Sequence, residues 1–189
     1  MIKTQAELFK HLMEQKRHII VAGGPGVGKT RLLKRLLMSH KPPKHLAVVV
    51  GPGLPAYAGL DGREDIFVIA TSLDDGLVEV EDGKRVSAIV EAMRRTPDYI
   101  LLDDIEMVSG KADDVPRLLL DRCCGMMLTS VEATNEEGAL EQLRRRLGRW
   151  DSSGKYVKGA VTRTEFNVVL LDEHGRVTEV VMADRGVGT

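Results

Sequence analysis

Gly23-Gly24-Pro25-Gly26-Val27-Gly28-Lys29-Thr30 follows the apolar run Ile19-Ile20-Val21-Ala22 and leads into Arg31-Leu32-Leu33-Lys34-Arg35-Leu36-Leu37. Glycine has no Cβ and reaches backbone conformations closed to other residues, so successive N–H groups of such a run turn inward around an anion. The spacing G-x-x-x-x-G-K-T, set between an apolar strand and a helix with leucines at 32, 33, 36 and 37, is the phosphate-loop pattern. A glycine-rich βα turn is the plainer alternative, and the strand-to-helix setting argues against it. The pattern predicts that Gly23 to Arg31 bind a nucleotide. Lys29 is expected on the β- and γ-phosphates and Thr30 on Mg²⁺, with the positive end of the helix, near Gly28, aimed at the anion.

Composition fits one globular domain, 1–189. The chain is 43% hydrophobic and 29% charged, with a net charge of −1, ordinary usage that advertises neither nucleic acid nor a membrane surface. No run has the apolar length of a membrane-spanning helix, and the first residues, MIKTQAELFKHLMEQKR, are too polar for a signal peptide. Adjacent Cys123 and Cys124 rarely bridge without strain, so a reducing, cytoplasmic setting is expected. The five histidines form no ligand pair, and no structural metal is predicted.

Elements alternate along the chain. Thr4 with Glu7 predicts a capping box ahead of Leu8, Leu12 and Met13, then a strand from His18 to Ala22. The phosphate-loop helix runs to about Ser39, and a second strand covers His45 to Val50. Ile66 to Ala70 and Leu77 to Val80 read as short strands, the latter closed by a turn at Glu81-Asp82-Gly83-Lys84. Val86, Ile89, Val90 and Met93 have helical spacing, stopped before Pro97. Tyr99 to Leu102 is a buried strand. A helix around Asp114 to Cys123 tolerates Pro116 only in its first turn. Met126 to Val131 is a strand, and Thr134 with Glu137 caps a helix through Leu147. Glu165 to Leu171 and Arg176 to Met182 form a hairpin across Asp172-Glu173-His174-Gly175. This order predicts an α/β fold: a mainly parallel, RecA-like P-loop sheet flanked by helices, with a C-terminal β-hairpin.

Tyr99-Ile100-Leu101-Leu102-Asp103-Asp104 is the second chemical constellation. Parallel strands end on the same edge as the phosphate loop, so an apolar strand ending in two acids can bring them to Mg²⁺ and the γ-phosphate. Asp103 is read as holding magnesium, and Asp104 as orienting or deprotonating the attacking water. Alternatively, the pair meets solvent or caps the next helix.

These residues resemble a known family. Ala92-Met93-Arg94-Arg95-Thr96-Pro97-Asp98 leading into Tyr99 to Ile105 is similar to the segment of type II/type IV secretion ATPases in which Arg-x-x-Pro-Asp precedes an apolar strand and a Gly-Glu pair. GMMLTSVEATNEEGALEQL and the tail EFNVVLLDEHGRVTEVV resemble later segments, the tail closest to the conjugative-transfer and tight-adherence pilus branch. The resemblance runs from about residue 5 to about residue 185. It implies ATP hydrolysis with Mg²⁺ by a motor domain acting as a homo-oligomeric ring, a hexamer, at the cytoplasmic face of a membrane machine.

The departures are specific. Family members carry a separate N-terminal domain, and about twenty residues precede the loop here. Val48-Val49-Val50-Gly51-Pro52-Gly53 lacks the acidic motif after the second strand, for which Glu64 or Asp65 is the candidate substitute. Met126 and Glu132 stand where histidines are usual, and Asp103-Asp104 replaces Gly-Glu. Arg94, Arg95 and Arg144-Arg145-Arg146 are candidates to reach a neighbour's γ-phosphate, the alternative being solvated helix faces. Two other readings remain open: a nucleotide-binding accessory with the motor fold and little turnover, and a P-loop phosphotransferase with Arg144 to Arg146 as a lid.

Overall fold

In the computed structural model, strand β1 (His18–Ala22), the apolar run before the phosphate loop, is buried along its whole length. The structure describes residues 4–40, 45–52, 59–60, 63–71, 77–79, 85–103, 115–120, 125–149, 151 and 155–183. β1 is fully buried because it stands inside a seven-stranded sheet and is covered on both faces, as a parallel strand must be.

Around it run α1 (Gln5–Glu14), α2 (Lys29–His40), β2 (Ala47–Pro52), β3 (Ile66–Thr71), β4 (Leu77–Glu79), β5 (Arg85–Ser87), α3 (Ala88–Arg94) and β6 (Tyr99–Leu102). Then follow α4 (Val115–Leu120), β7 (Met126–Val131), α5 (Glu136–Gly148), α6 (Lys155–Arg163), β8 (Phe166–Leu171) and β9 (Val177–Ala183). The sheet order is β3-β2-β6-β7-β1-β8-β9, and β4 pairs with β5 in a separate two-stranded ribbon. All neighbours in the large sheet are parallel except β8 and β9, which form the antiparallel C-terminal hairpin. The predicted α/β architecture is therefore the observed one.

The two faces of the sheet have separate cores. Phe9, Leu12, Leu33, Leu36 and Leu37 of α1 and α2 pack with Ile19, Val21 and Leu101 on one side. Ile89, Leu143, Leu147 and Val161 of α3, α5 and α6 pack with Ile20, Ile100 and Val168 on the other. Leu33, Leu36 and Leu37 are wholly buried, each contributing about 1.5–3 kcal/mol relative to exposure. Their spacing lays them on one stripe of α2, so that burial fixes where the N-terminus of α2 points.

Local signals hold with three exceptions. The Thr4–Glu7 capping box forms on both sides, and Pro116 lies in the first turn of α4, where its missing N–H costs nothing. Val86, expected on a helix, pairs with Val78 in the β4–β5 ribbon; a β-branched side chain suits a strand, and α3 begins two residues later. The cap of α5 is Asn135, whose Oδ1 accepts from Gly138 N at 2.8 Å, and not Thr134 with Glu137. Helix α6 has no counterpart in the sequence reading, although Val157, Ala160 and Val161 carry its apolar stripe and are buried. The turn at 81–84 and the cysteine pair at 123–124 lie outside the described residues.

Candidate nucleotide site

The phosphate loop leaves β1 at Ala22 and enters α2 at Lys29. Gly26 and Gly28 take φ of 71° and 95°, left-handed values that favour glycine. Both are therefore required by the path of the loop. The first turn of α2 contains no acidic residue of its own, so no side chain within that turn offsets the positive end of the helix dipole. A cavity of about 440 Å³ opens there, lined by Gly26, Gly28, Lys29, Thr30, Arg31 and Lys34. Lys29 Nζ curls back over the loop and donates to the carbonyls of Gly23 at 3.1 Å and Gly24 at 2.6 Å.

The acidic strand end meets this loop across the sheet. β6 is separated from β1 by β7, and all three are parallel, so their C-terminal ends share one edge. Thr30 Oγ1 donates to Asp103 Oδ2 at 2.7 Å. Ser130 Oγ, at the end of β7, donates to Asp103 Oδ1 at 2.8 Å. Asp103 is 6% exposed, and a buried carboxylate must be paired and hydrogen-bonded to be tolerated there. Helix α2 and strand β7 thus converge on the one carboxylate that follows β6, beside the loop. Thr129 Oγ1 donates to Leu102 O at 2.8 Å, tying β7 to β6 one residue earlier.

Several candidate residues are placed elsewhere. Asp104 lies outside the described residues. Glu64 and Asp65 precede β3, whose first residue pairs with the first residue of β2; they stand at the N-terminal edge, a strand length of about 20 Å from the edge that carries the loop. Asp65 is held by the Arg63 guanidinium at 3.0 and 3.1 Å, and neither acid substitutes for the missing acidic motif. Arg94 ends α3 and Arg95 follows it on that same far edge: both pair with Glu91, and Arg95 lies 3.5 Å from the ring centroid of Phe67 on β3.

The arginine run divides. Arg146 is buried, and its Nη1 donates to Ser130 O at 2.9 Å, so it is neither a solvated face nor a lid. Arg144, paired with Glu141 at 3.3 Å, and Arg145 line a groove of about 560 Å³ between α5 and α6. A lid of 144–146 is excluded by the packing of α5, whose Leu143 and Leu147 are wholly buried. Ser130 went unrecognised in the sequence; the available signal was a hydroxyl at the end of a strand parallel to the Asp103 strand.

Loop, helix and acidic strand end together define the RecA-like P-loop fold, the fold of P-loop ATPases. The chain belongs to the family described as Uncharacterised conserved protein UCP018868, whose model matches residues 1–140. No curated protein matches the sequence. Among solved structures, the VirB11 ATPase of the Brucella suis type IV secretion system, in complex with sulphate, superposes with a TM-score of 0.62 at 18% identity over 93% of this chain. The match covers 52% of the VirB11 chain, so this chain spans about half its length. The Yersinia pseudotuberculosis ATPase DotB gives 0.53 at 14% identity, over 94% of this chain and 44% of its own. The flagellar accessory protein FlaH of Methanocaldococcus jannaschii gives 0.51 at 14%, over 100% of this chain and 89% of FlaH. Among the described residues no helix is long and apolar enough to cross a membrane.

Proposed function

We propose that this chain, as one domain over 1–189, binds and hydrolyses ATP with Mg²⁺ as the motor domain of a secretion, conjugation or pilus-type machine. The observation that carries the reading is the Thr30–Asp103 hydrogen bond, which unites a phosphate loop with a buried carboxylate at the end of β6, one strand removed from β1. A hydroxyl and a carboxylate are the hard oxygen donors that magnesium takes, so Thr30 and Asp103 fit as its protein ligands. Magnesium, when bound, neutralises charge on the β- and γ-phosphates.

The remaining roles follow from the chain's own groups. Lys29 exchanges two loop carbonyls for phosphate oxygens, a charge-assisted and stronger pairing. The amides of 23–31 hold the phosphate chain. Asp104, one residue past the magnesium ligand, takes the proton of the attacking water as the γ-phosphoryl group passes to it, leaving ADP and inorganic phosphate. Arg94, Arg95, Arg144 and Arg145 remain the candidates to complete the charge on a neighbour's γ-phosphate in a ring. Such a domain works in the cytoplasm and meets a membrane through its machine.

A second reading, an accessory that holds nucleotide with little turnover, is favoured by the end of β7. Ser130, Val131 and Glu132 stand there in place of a histidine motif. Phosphate release at saturating ATP, combined with light scattering with and without nucleotide, separates the two. Turnover in an oligomer supports the motor; tight binding without turnover supports the accessory.

A further inference from the structure

We infer that the turn joining β8 to β9 is a wall of the nucleotide site, and that the base and ribose of the bound nucleotide lie against this turn and Arg31. The inference rests on the nucleotide-binding reading above and adds to it where the nucleoside goes.

The site has two unlike flanks, because β1 lies between β7 and β8. On the β7 and β6 side, Thr30, Asp103 and Ser130 gather the oxygen ligands suited to the metal end of a triphosphate. A phosphate chain that begins there and threads the loop leaves on the other flank, toward β8. On that flank the hairpin touches the loop itself. A Cβ on Gly23 would meet Leu171 Cβ at 3.2 Å and its carbonyl at 3.4 Å. Gly175, at φ 73°, faces the carbonyl oxygen of Val27 so closely that no Cβ fits between them.

The turn is rigid before any ligand arrives. Asp172 Oδ1 accepts from the backbone N–H groups of His174 and Arg176, each at 2.9 Å, and Oδ2 accepts from Arg176 Nε at 2.9 Å. Gly175 N donates to Asp172 O, and Asp172 N to Arg176 O, both at 3.0 Å. A wall already held in shape costs little ordering when something binds against it.

Arg31 lies between this turn and the loop. Its guanidinium comes within 3.4–3.7 Å of where a Gly28 Cβ would stand, and within 3.9 Å of where a Gly175 Cβ would stand. The side chain is exposed. Lys29, Arg31 and Lys34 all sit in the first turns of α2, where the helix dipole disfavours cations and an anionic ligand repays them. Lys29 suits the phosphates; a planar guanidinium beside the exit of the phosphate chain suits the face of a base. A merely solvated arginine explains neither its seat between loop and turn nor the close approach of Gly175.

Titration calorimetry with ATP and with inorganic tripolyphosphate tests this, because only ATP carries a nucleoside. Arg31→Ala is expected to weaken ATP by about tenfold, the order of one stacking contact, and to leave tripolyphosphate unchanged. Gly175→Ala, which pushes on Val27, is expected to weaken both ligands. Equal loss of both ligands in Arg31→Ala would make Arg31 a phosphate ligand and overturn the inference, as would unchanged ATP binding in that variant. If Gly175→Ala does not fold, Arg31→Ala, altered at an exposed position, decides alone. Lys29→Ala serves as the control: a wild type that binds neither ligand removes the nucleotide reading itself, whereas loss confined to Lys29→Ala leaves that reading standing and sinks only the wall.

Discussion

Arg146 and Ser130 are joined by a 2.9 Å hydrogen bond from the guanidinium to a strand-end carbonyl, and the same Ser130 donates its hydroxyl to Asp103. The buried arginine of α5 thereby braces the strand end on which the candidate magnesium ligand rests. Its removal strands a buried carbonyl, which costs about 1–3 kcal/mol. Arg146→Ala is therefore expected to lower the urea midpoint by that order. Arg144→Ala, which breaks the pair of a half-buried arginine with the exposed Glu141, should cost no more than about 1 kcal/mol. Urea melts of the two variants check the difference, and equal effects would contradict the buried role.

If Lys29 exchanges its loop carbonyls for phosphate oxygens as proposed, its truncation should separate affinity from stability. Lys29→Ala removes the donor to Gly23 and Gly24, part-buried backbone carbonyls within the loop, and leaves the buried leucines of α2 and the sheet untouched. Titration with a fluorescent ATP analogue is expected to show most of the affinity lost with the melting temperature nearly unchanged. Retained affinity would reduce the glycine-rich loop to a βα turn.

The β8–β9 turn should be sensitive to acid. Hydrogen bonds from the Arg176 backbone, then from its side chain and the His174 backbone, hold the Asp172 carboxyl below its ordinary value of 3.8, against a smaller opposing effect of desolvation. A carboxylate depressed by folding contributes stability that is present above the unfolded value and is lost as pH falls through the folded one. The contribution should therefore be intact at neutral pH and disappear below about pH 3.8. Amide chemical shifts of His174 and Arg176, followed from pH 6 downward, should titrate with a midpoint under that value in the wild type and not in Asp172→Asn.

What the sequence disclosed follows from how local each signal is. The β1 strand, the loop and α2 announce themselves because an apolar run, a fixed glycine spacing and a leucine stripe all occur within twenty residues or so. The Thr4 box was equally local. Val86 misled because its spacing to Ile89, Val90 and Met93 is helical, while its pairing partner Val78 lies eight residues earlier on a separate strand. Gly125 enters the sequence reading only as the first residue of GMMLTSVEATNEEGALEQL; its φ of 82° and its packing against the Asp98 carbonyl reveal a close backbone approach that no neighbouring residue hints at. The site divides in the same way. Thr30 and Asp103 were paired by the logic of parallel strand ends, whereas Ser130, Arg146 and the contact of Gly175 with Val27 depend on register and helix placement across distant segments.

The two adjacent acids give the decisive test of turnover. Asp103 is fixed by Thr30 and Ser130, so Asp103→Asn places an amide where two hydroxyl donors converge and removes the negative oxygen proposed as a magnesium ligand. Its expected effect is on metal dependence: a higher Mg²⁺ concentration for half-maximal binding and rate. Asp104→Asn keeps that carboxylate and the shape of the side chain while deleting the proposed proton acceptor. Loss of a general base lowers the rate by about 10²–10⁴, so phosphate release should fall by that order with ATP affinity nearly constant. Asp104→Glu lengthens the side chain by one methylene toward the reach of the Glu in the secretion motors this segment resembles, and should speed hydrolysis if the shorter acid is what limits it. Phosphate release for the three variants at saturating ATP and varied Mg²⁺ reads these effects separately. Equal, unaltered rates would remove both assignments. A wild type that binds ATP and turns it over only after Asp104→Glu would make the chain a nucleotide-holding accessory whose fold is that of the motor.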